Sequence, residues 1–142
     1  MNNAKVIETL NQIMERELSG VVRYTHYSLM VFGHNRIPIV KWLREQADES
    51  LSHATRAGEL VTTLGGHPSL RLAPLLETHK HAINDILQES LEHENESLQL
   101  YKALLEQTDG KSVMIEEYAR EMICDEEDHI SEVQKMLRAP GA

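Results

Sequence analysis

The chain has 142 residues, enough for one domain with a real core and too few for two ordinary ones. Hydrophobic residues make up 41% and charged residues 26%, which specifies a globular chain rather than a disordered one. Lys and Arg number 14 against 23 Asp and Glu, a formal net charge of −9, a balance that argues against sequence-independent binding to nucleic acid or anionic lipid, both of which need a basic face. No apolar run is long enough to span a bilayer, and MNNAKVIETL lacks the positive start and apolar stretch of a signal peptide. Cys124 is the single cysteine and has no internal disulfide partner, so the expected compartment is the cytoplasm.

Seven glycines and four prolines punctuate the chain at few places, and good helix formers fill the intervals. The periodicity predicts a first helix over about 4–34 and a second over about 38–65, with Pro38 in its first turn, where the missing N–H costs nothing. Gly65-Gly66 caps the second helix and Pro68 prevents its continuation. A third helix is expected over about 79–108, stopped at Thr108-Asp109-Gly110, and a fourth over about 112–138. The connections within each pair are short, so each pair is antiparallel. The segment between the second and third helices is longer, carries Pro68 and Pro74, and crosses the length of the bundle. The expected fold class is therefore all-α, an antiparallel four-helix bundle with a long crossover between its second and third helices, with residues 1–142 as one domain.

Each helix carries a stripe with alternating steps of three and four. The first has Val6, Leu10, Ile13, Glu17, Gly20 and Tyr24; the second Val40, Leu43, Ala47, Ser50, Ala54, Ala57, Val61 and Leu64. The third has Ile83, Leu87, Ser90, Glu94, Ser97, Tyr101 and Leu104; the fourth Ile115, Ala119, Met122, Glu126, His129, Val133 and Met136. Three glutamates and a histidine thus fall on core-facing stripes near mid-helix. A buried carboxylate without a partner is costly, so it takes up a proton, pairs, or binds metal.

The two halves echo one another. Glu17-x-x-Gly20-x-x-x-Tyr24 in the first helix matches Glu94-x-x-Ser97-x-x-x-Tyr101 in the third. Glu126-x-x-His129 projects both side chains from one face of the fourth helix, and Ser50-x-x-His53 repeats the spacing in the second with Ser in place of Glu. One Glu from each of two helices, plus Glu-x-x-His from each of the other two, is the di-iron carboxylate arrangement.

On these motifs, and on the LGGHP stretch closing the second helix, the chain from Val6 to Leu137 resembles a bacterioferritin-type member of the ferritin-like superfamily. The resemblance implies Fe²⁺ oxidation at an intra-bundle di-iron site, with iron storage in a hollow oligomer. It implies Glu17 and Glu94 as terminal carboxylates, His53 and His129 as terminal nitrogen ligands, and Glu126 as a bridging carboxylate.

Three departures from that pattern stand out. Ser50 replaces the second bridging glutamate; Glu49, next to it, sits ~100° away on an ideal helix, flanked by Trp42 and Arg56, and reaches inward only with a local bulge. Leu51 stands where a bacterioferritin offers its haem-ligating Met, so haem held in that way is not expected. The sequence given ends at Ala142, after Pro140-Gly141, without the short fifth helix of bacterioferritin cages, which points to a homo-oligomer that is a dimer or a small shell. Two divalent ions bring four positive charges, and Glu17, Glu94 and Glu126 supply three negative ones. Hydroxide or oxide, an inward Glu49, or occupancy by a single ion are the ways to close that gap. The donor types suit Fe, Mn and Zn alike.

Two functions follow. One is an iron protein that oxidises Fe²⁺ with O₂ or peroxide. The other is a metal-binding or structural protein of the same fold, with one Fe, Zn or Mn and no turnover. Glu94 is preferred over its neighbour His93 as a ligand because His93 falls beside the stripe. His67, His79 and His81 are read as solvent-exposed residues in or near the crossover, with His79-x-His81 as an adventitious metal pair at most, and His26 and His34 as surface or interface residues. Tyr24 and Tyr101 are read as packing or hydrogen-bond partners of the ligands. Met14, Met114, Met122 and Met136 are read as core fillers, and Cys124 as a structural thiol.

Overall fold

The computed structural model describes residues 1–142 and contains four helices and no strand: α1 (Asn3–Met30), α2 (Arg36–Thr63), α3 (Ile83–Thr108) and α4 (Val113–Leu137). Local chemistry sets their ends. The Asn2 side chain accepts a hydrogen bond from Lys5 N–H at 3.2 Å, and Ser112 accepts one from Ile115 N–H at 3.4 Å. Helix α1 ends four residues earlier than expected, because the chain turns out at Val31 and Gly33 adopts φ +100. Pro38 lies in the first turn of α2 as expected. At the other end of α2, Gly65 takes φ +80 while Gly65 and Gly66 N–H donate back to the carbonyls of Thr62 and Val61. Helix α3 begins at Ile83 rather than near 79; His79 is left-handed at φ 56, which no helix tolerates.

Helices α1 and α2 pack along their lengths, α3 packs on α4, and α1 also meets α3. The crossover, residues 64–82, runs extended against α1. Asn11 donates to the His67 carbonyl and accepts from Ser69 N–H, Ala73 N–H donates to the Glu15 carbonyl, and Ser19 Oγ donates to the Ala73 carbonyl at 2.8 Å. Asn11, Glu15 and Ser19 recur every four residues, so one face of α1 is the track on which the crossover lies.

The stripes face inward as the periodicity requires. Nearly every stripe residue is buried; Leu64, Ile83, His129 and Met136 are half-buried. The apolar core forms two blocks. One contains Val6, Leu10, Ile13, Ala57, Leu104 and Ile115; the other contains Tyr24, Val31, Leu43 and Ile86. Glu17, Glu94 and Glu126 interrupt the apolar stripes between these groups. Two expectations fail at the surface. Met114 sits at the start of α4 and is exposed, and Cys124 is an exposed free thiol rather than a structural one, because both fall on the outward face of α4. No helix is long and apolar enough to cross a membrane.

Candidate metal centre

All five side chains singled out from the sequence converge in the middle of the bundle. Glu17, Glu94 and Glu126 are almost fully buried, His53 is buried, and His129 is half-buried. They form two groups of three ligand atoms. Glu17, His53 and Glu126 make one; Glu94, Glu126 and His129 make the other; within each group the atoms lie within 4.8 Å of one another. Glu126 belongs to both. His53 Nδ1 lies 3.5 Å from Glu17 Oε2 and 3.8 Å from Glu126 Oε1, while His129 Nδ1 lies 3.7 Å from Glu94 Oε2. Each imidazole therefore turns Nδ1 to the centre.

The tyrosines orient the carboxylates, and they do so across the bundle rather than along their own helices. The Tyr101 hydroxyl on α3 donates to Glu17 Oε1 on α1 at 3.0 Å. The Tyr24 hydroxyl on α1 donates to Glu94 Oε1 on α3. The expectation of a hydrogen-bonding role is met, with the partners exchanged between the two halves. Tyr118, which belongs to neither repeated motif, packs edge-on against Tyr101 at 6.1 Å and carries the Arg56 guanidinium 5.0 Å from its ring centroid.

Electrostatics explain why cations belong here. Burial pushes the Glu126 carboxyl well above the ordinary carboxylate range, and the nearby Glu94 charge pushes the same way. Burial also raises Glu17, against the opposing pull of His53. Burial would raise Glu94 too, but hydrogen bonding to Glu126 and His129 outweighs it and holds Glu94 below the ordinary range. Three carboxylates buried this close together cannot all ionise unless positive charge joins them.

The donor set fits transition-metal ions. Glu126 Oε2 and His129 Nε2 are buried with no hydrogen-bond partner. A carboxylate shared between two His/Glu groups has the form of a two-ion centre, and mixed oxygen and nitrogen donors suit borderline divalent metals. The centre is a buried carboxylate and histidine cluster whose two ligand groups share one carboxylate.

Several residues surround the ligands. Helix α2 is continuous, without the bulge that would bring Glu49 inward. Glu49 is half exposed and lies behind His53, with Oε1 3.6 Å from His53 Nε2, an i to i+4 relation visible in the sequence. It therefore stands beside a ligand, outside both three-atom groups. Ser50 is buried one turn from His53, against α1: a Cβ built on Gly20 would meet Ser50 Oγ at 2.9 Å and His93 Nε2 at 3.0 Å. His93 is buried, but outside both ligand groups, and burial lowers its pKa to about 4. A cavity of about 240 Å³, lined by Trp42, Gln46, Glu49, Asp125, Asp128, His129 and Glu132, connects His129 with the surface and gives cations an acidic approach.

Outside the centre, His34, His67 and His79 are exposed as expected. His26 and His81 are half-buried and meet each other through Glu77, so His81 pairs with His26 rather than with His79.

Known proteins share this architecture. The chain is 29% identical over 136 residues to a bacterioferritin from Brucella melitensis biotype 1, covering 94% of this chain and 83% of that one. A bacterioferritin from Rhodobacter capsulatus, solved with a metal-free dinuclear site and haem iron, superposes with a TM-score of 0.82 at 26% identity, covering 94% of this chain and 84% of that one. A ferritin-like, diiron-carboxylate protein from Bacillus anthracis gives a TM-score of 0.91 at 23% identity over 97% of this chain and 99% of that one, which shows a common fold. The family model described as the ferritin-like domain matches residues 7–140, and the chain belongs to that family.

Proposed function

We propose that this chain is a bacterioferritin-like iron protein that oxidises Fe²⁺ with O₂ or peroxide at the centre between its helices, acting in iron storage or detoxification in the cytoplasm. The observation that carries the reading is Glu126, buried and shared by two three-ligand groups. Glu17 and His53 would hold one ion, Glu94 and His129 the other, and Glu126 would bridge them. Bound iron supplies the electron that passes to the oxidant. The chain's own part is to keep both positions aligned. Tyr101 and Tyr24 fix Glu17 and Glu94, and the two apolar blocks flank the centre along the bundle. The acidic cavity at His129 delivers the cation.

The test is aerobic Fe²⁺ oxidation by the purified chain against Glu126→Ala/His129→Ala. A loss of at least tenfold is expected in the variant, and equal rates refute the oxidase reading. Ser50 motivates the second reading, a binder without turnover, because the cluster has three carboxylates for two ions. Metal analysis separates the two: about two irons per chain supports the oxidase, and one redox-silent Fe, Zn or Mn supports the binder.

We also take the chain to be a homo-oligomer, a dimer or a small shell. Phe32 is 73% exposed, Ile37 83%, Leu70 97% and Leu76 77%, a large apolar allotment for the surface of a monomer. Sedimentation equilibrium giving a monomer at micromolar concentration would remove this part of the proposal.

A further inference from the structure

A second group of ligand atoms lies away from the buried centre, where the crossover ends. His26 on α1 and Glu77 and His81 on the crossover each present one ligand atom, all within 4.8 Å of one another. Small side-chain movements would bring such atoms onto one ion at about 2.0–2.2 Å each. His26 Nε2 is 2.9 Å from Glu77 Oε2, shielded from solvent, and yet makes no hydrogen bond. His81 Nε2 is 3.6 Å from Glu77 Oε1, and the two imidazole centroids are 5.5 Å apart.

The backbone builds this arrangement. His79 takes the left-handed conformation, an uncommon one for a residue with a side chain, and its N–H donates to Glu77 Oε1 at 2.7 Å. Thr78 Oγ1 donates to Glu89 Oε1 at 3.0 Å and anchors the same turn on α3. The turn places Glu77 and His81 on one side, facing α1. His26 continues the track of Asn11, Glu15 and Ser19 by one further step of seven, two turns, so it stands where the crossover makes its last contact with α1. A cavity of about 220 Å³ surrounds the group. Of the two cations lining it, Arg23 is turned to the Tyr27 hydroxyl at 3.2 Å, and Lys80 opposes a bound cation and moderates its affinity.

We propose that His26, Glu77 and His81 form a second metal site, for one borderline divalent cation of the Zn²⁺ or Fe²⁺ class, which clips the end of the crossover to α1. Two neutral imidazoles and one carboxylate leave coordination positions open to water, so the ion exchanges with solvent, unlike one held among the helices.

The experiment is Zn²⁺ titration calorimetry on the metal-free full-length chain, repeated in a Glu126→Ala/His129→Ala background so that the two sites are counted separately. In both backgrounds His26→Gln/His81→Gln is expected to remove one Zn²⁺ per chain, or to weaken it at least tenfold. Hydrogen exchange adds a structural readout: Zn²⁺ should slow the amides of residues 76–82, and only when His26 and His81 are present. Should the double glutamine variant disturb the fold, as judged by circular dichroism, Glu77→Gln serves in its place. An unchanged Zn²⁺ stoichiometry and affinity in the folded variant overturns the proposal.

Discussion

Gly20 faces the place where the carboxylate pattern is broken, and replacing it by Ala probes that place directly. A Cβ there would sit 2.9 Å from Ser50 Oγ and 3.0 Å from His93 Nε2, closer than side chains normally pack. Gly20 lies inside α1, where Ala gains about 1 kcal/mol in helix propensity over Gly. Forcing a methyl group into a filled interior costs about 1–3 kcal/mol. The expected net effect is a loss of up to about 2 kcal/mol, or a Tm lower by up to roughly 8 °C in a chain of this size. Ser50→Ala removes the nearer of the two obstructing atoms, so in the Gly20→Ala background it should return about half of the loss, whereas alone it should change little. Urea denaturation of the four metal-free proteins at pH 7, read as a double-mutant cycle, gives the coupling, expected at about 1 kcal/mol. A Gly20→Ala chain as stable as the parent, with no coupling to Ser50→Ala, would refute the close contact between α1 and α2 at this level.

Three further outcomes follow from the centre. Glu126 holds its proton well above the ordinary carboxylate range, so the metal-free fold binds that proton where the unfolded chain has lost it; stability from this residue is full below about pH 4.5 and declines as pH rises through the raised pKa. Glu126→Gln should therefore stabilise the metal-free chain at pH 7 and not at pH 4, while abolishing tight metal binding, as urea melts and metal analysis will tell. His93 behaves in the opposite sense: with a folded pKa of about 4, it makes the fold lose about 3 kcal/mol as pH falls from 6.5 to 4, and His93→Gln should flatten that part of the stability profile. Tyr101→Phe leaves Glu17 Oε1 without its hydroxyl donor and should cost about 1–3 kcal/mol in chemical denaturation, with weaker metal retention; an unaltered melt would mean that the bond contributes nothing net.

The centre was legible because it violates the pattern that makes the rest of the bundle predictable. Glu17, Glu94 and Glu126 fall on stripes otherwise apolar or small, and a helix offers no route to water from there, so their burial followed from spacing alone. The two Glu-x-x-small-x-x-x-Tyr segments pointed to tyrosine partners, but not to which glutamate each would meet. That depends on how the two hairpins dock, which local periodicity does not encode. Helix ends were less accurate for a related reason: residues 31–34 and 79–82 have acceptable helical composition, and only the left-handed turns at Gly33 and His79 exclude them. Met114 and Cys124 were misplaced because an apolar or soft side chain on a surface face looks like a core residue when its phase on the helix is not followed. The His26, Glu77 and His81 group lay beyond sequence reasoning, since an extended crossover has no period from which to tell where it will touch α1.

The exchanged tyrosines carry a consequence for assembly. The half containing α1 and α2 owns Glu17 and His53, but the hydroxyl that steers Glu17 and the carboxylate common to both groups come from the other half, across separations of 70 and 84 residues for the two tyrosine bonds. Neither hairpin by itself presents an oriented ligand set, and closing such distant pairs is the slow part of folding. Cations added to a refolding chain will therefore report the moment the hairpins meet, and will leave the earlier winding of the helices unseen.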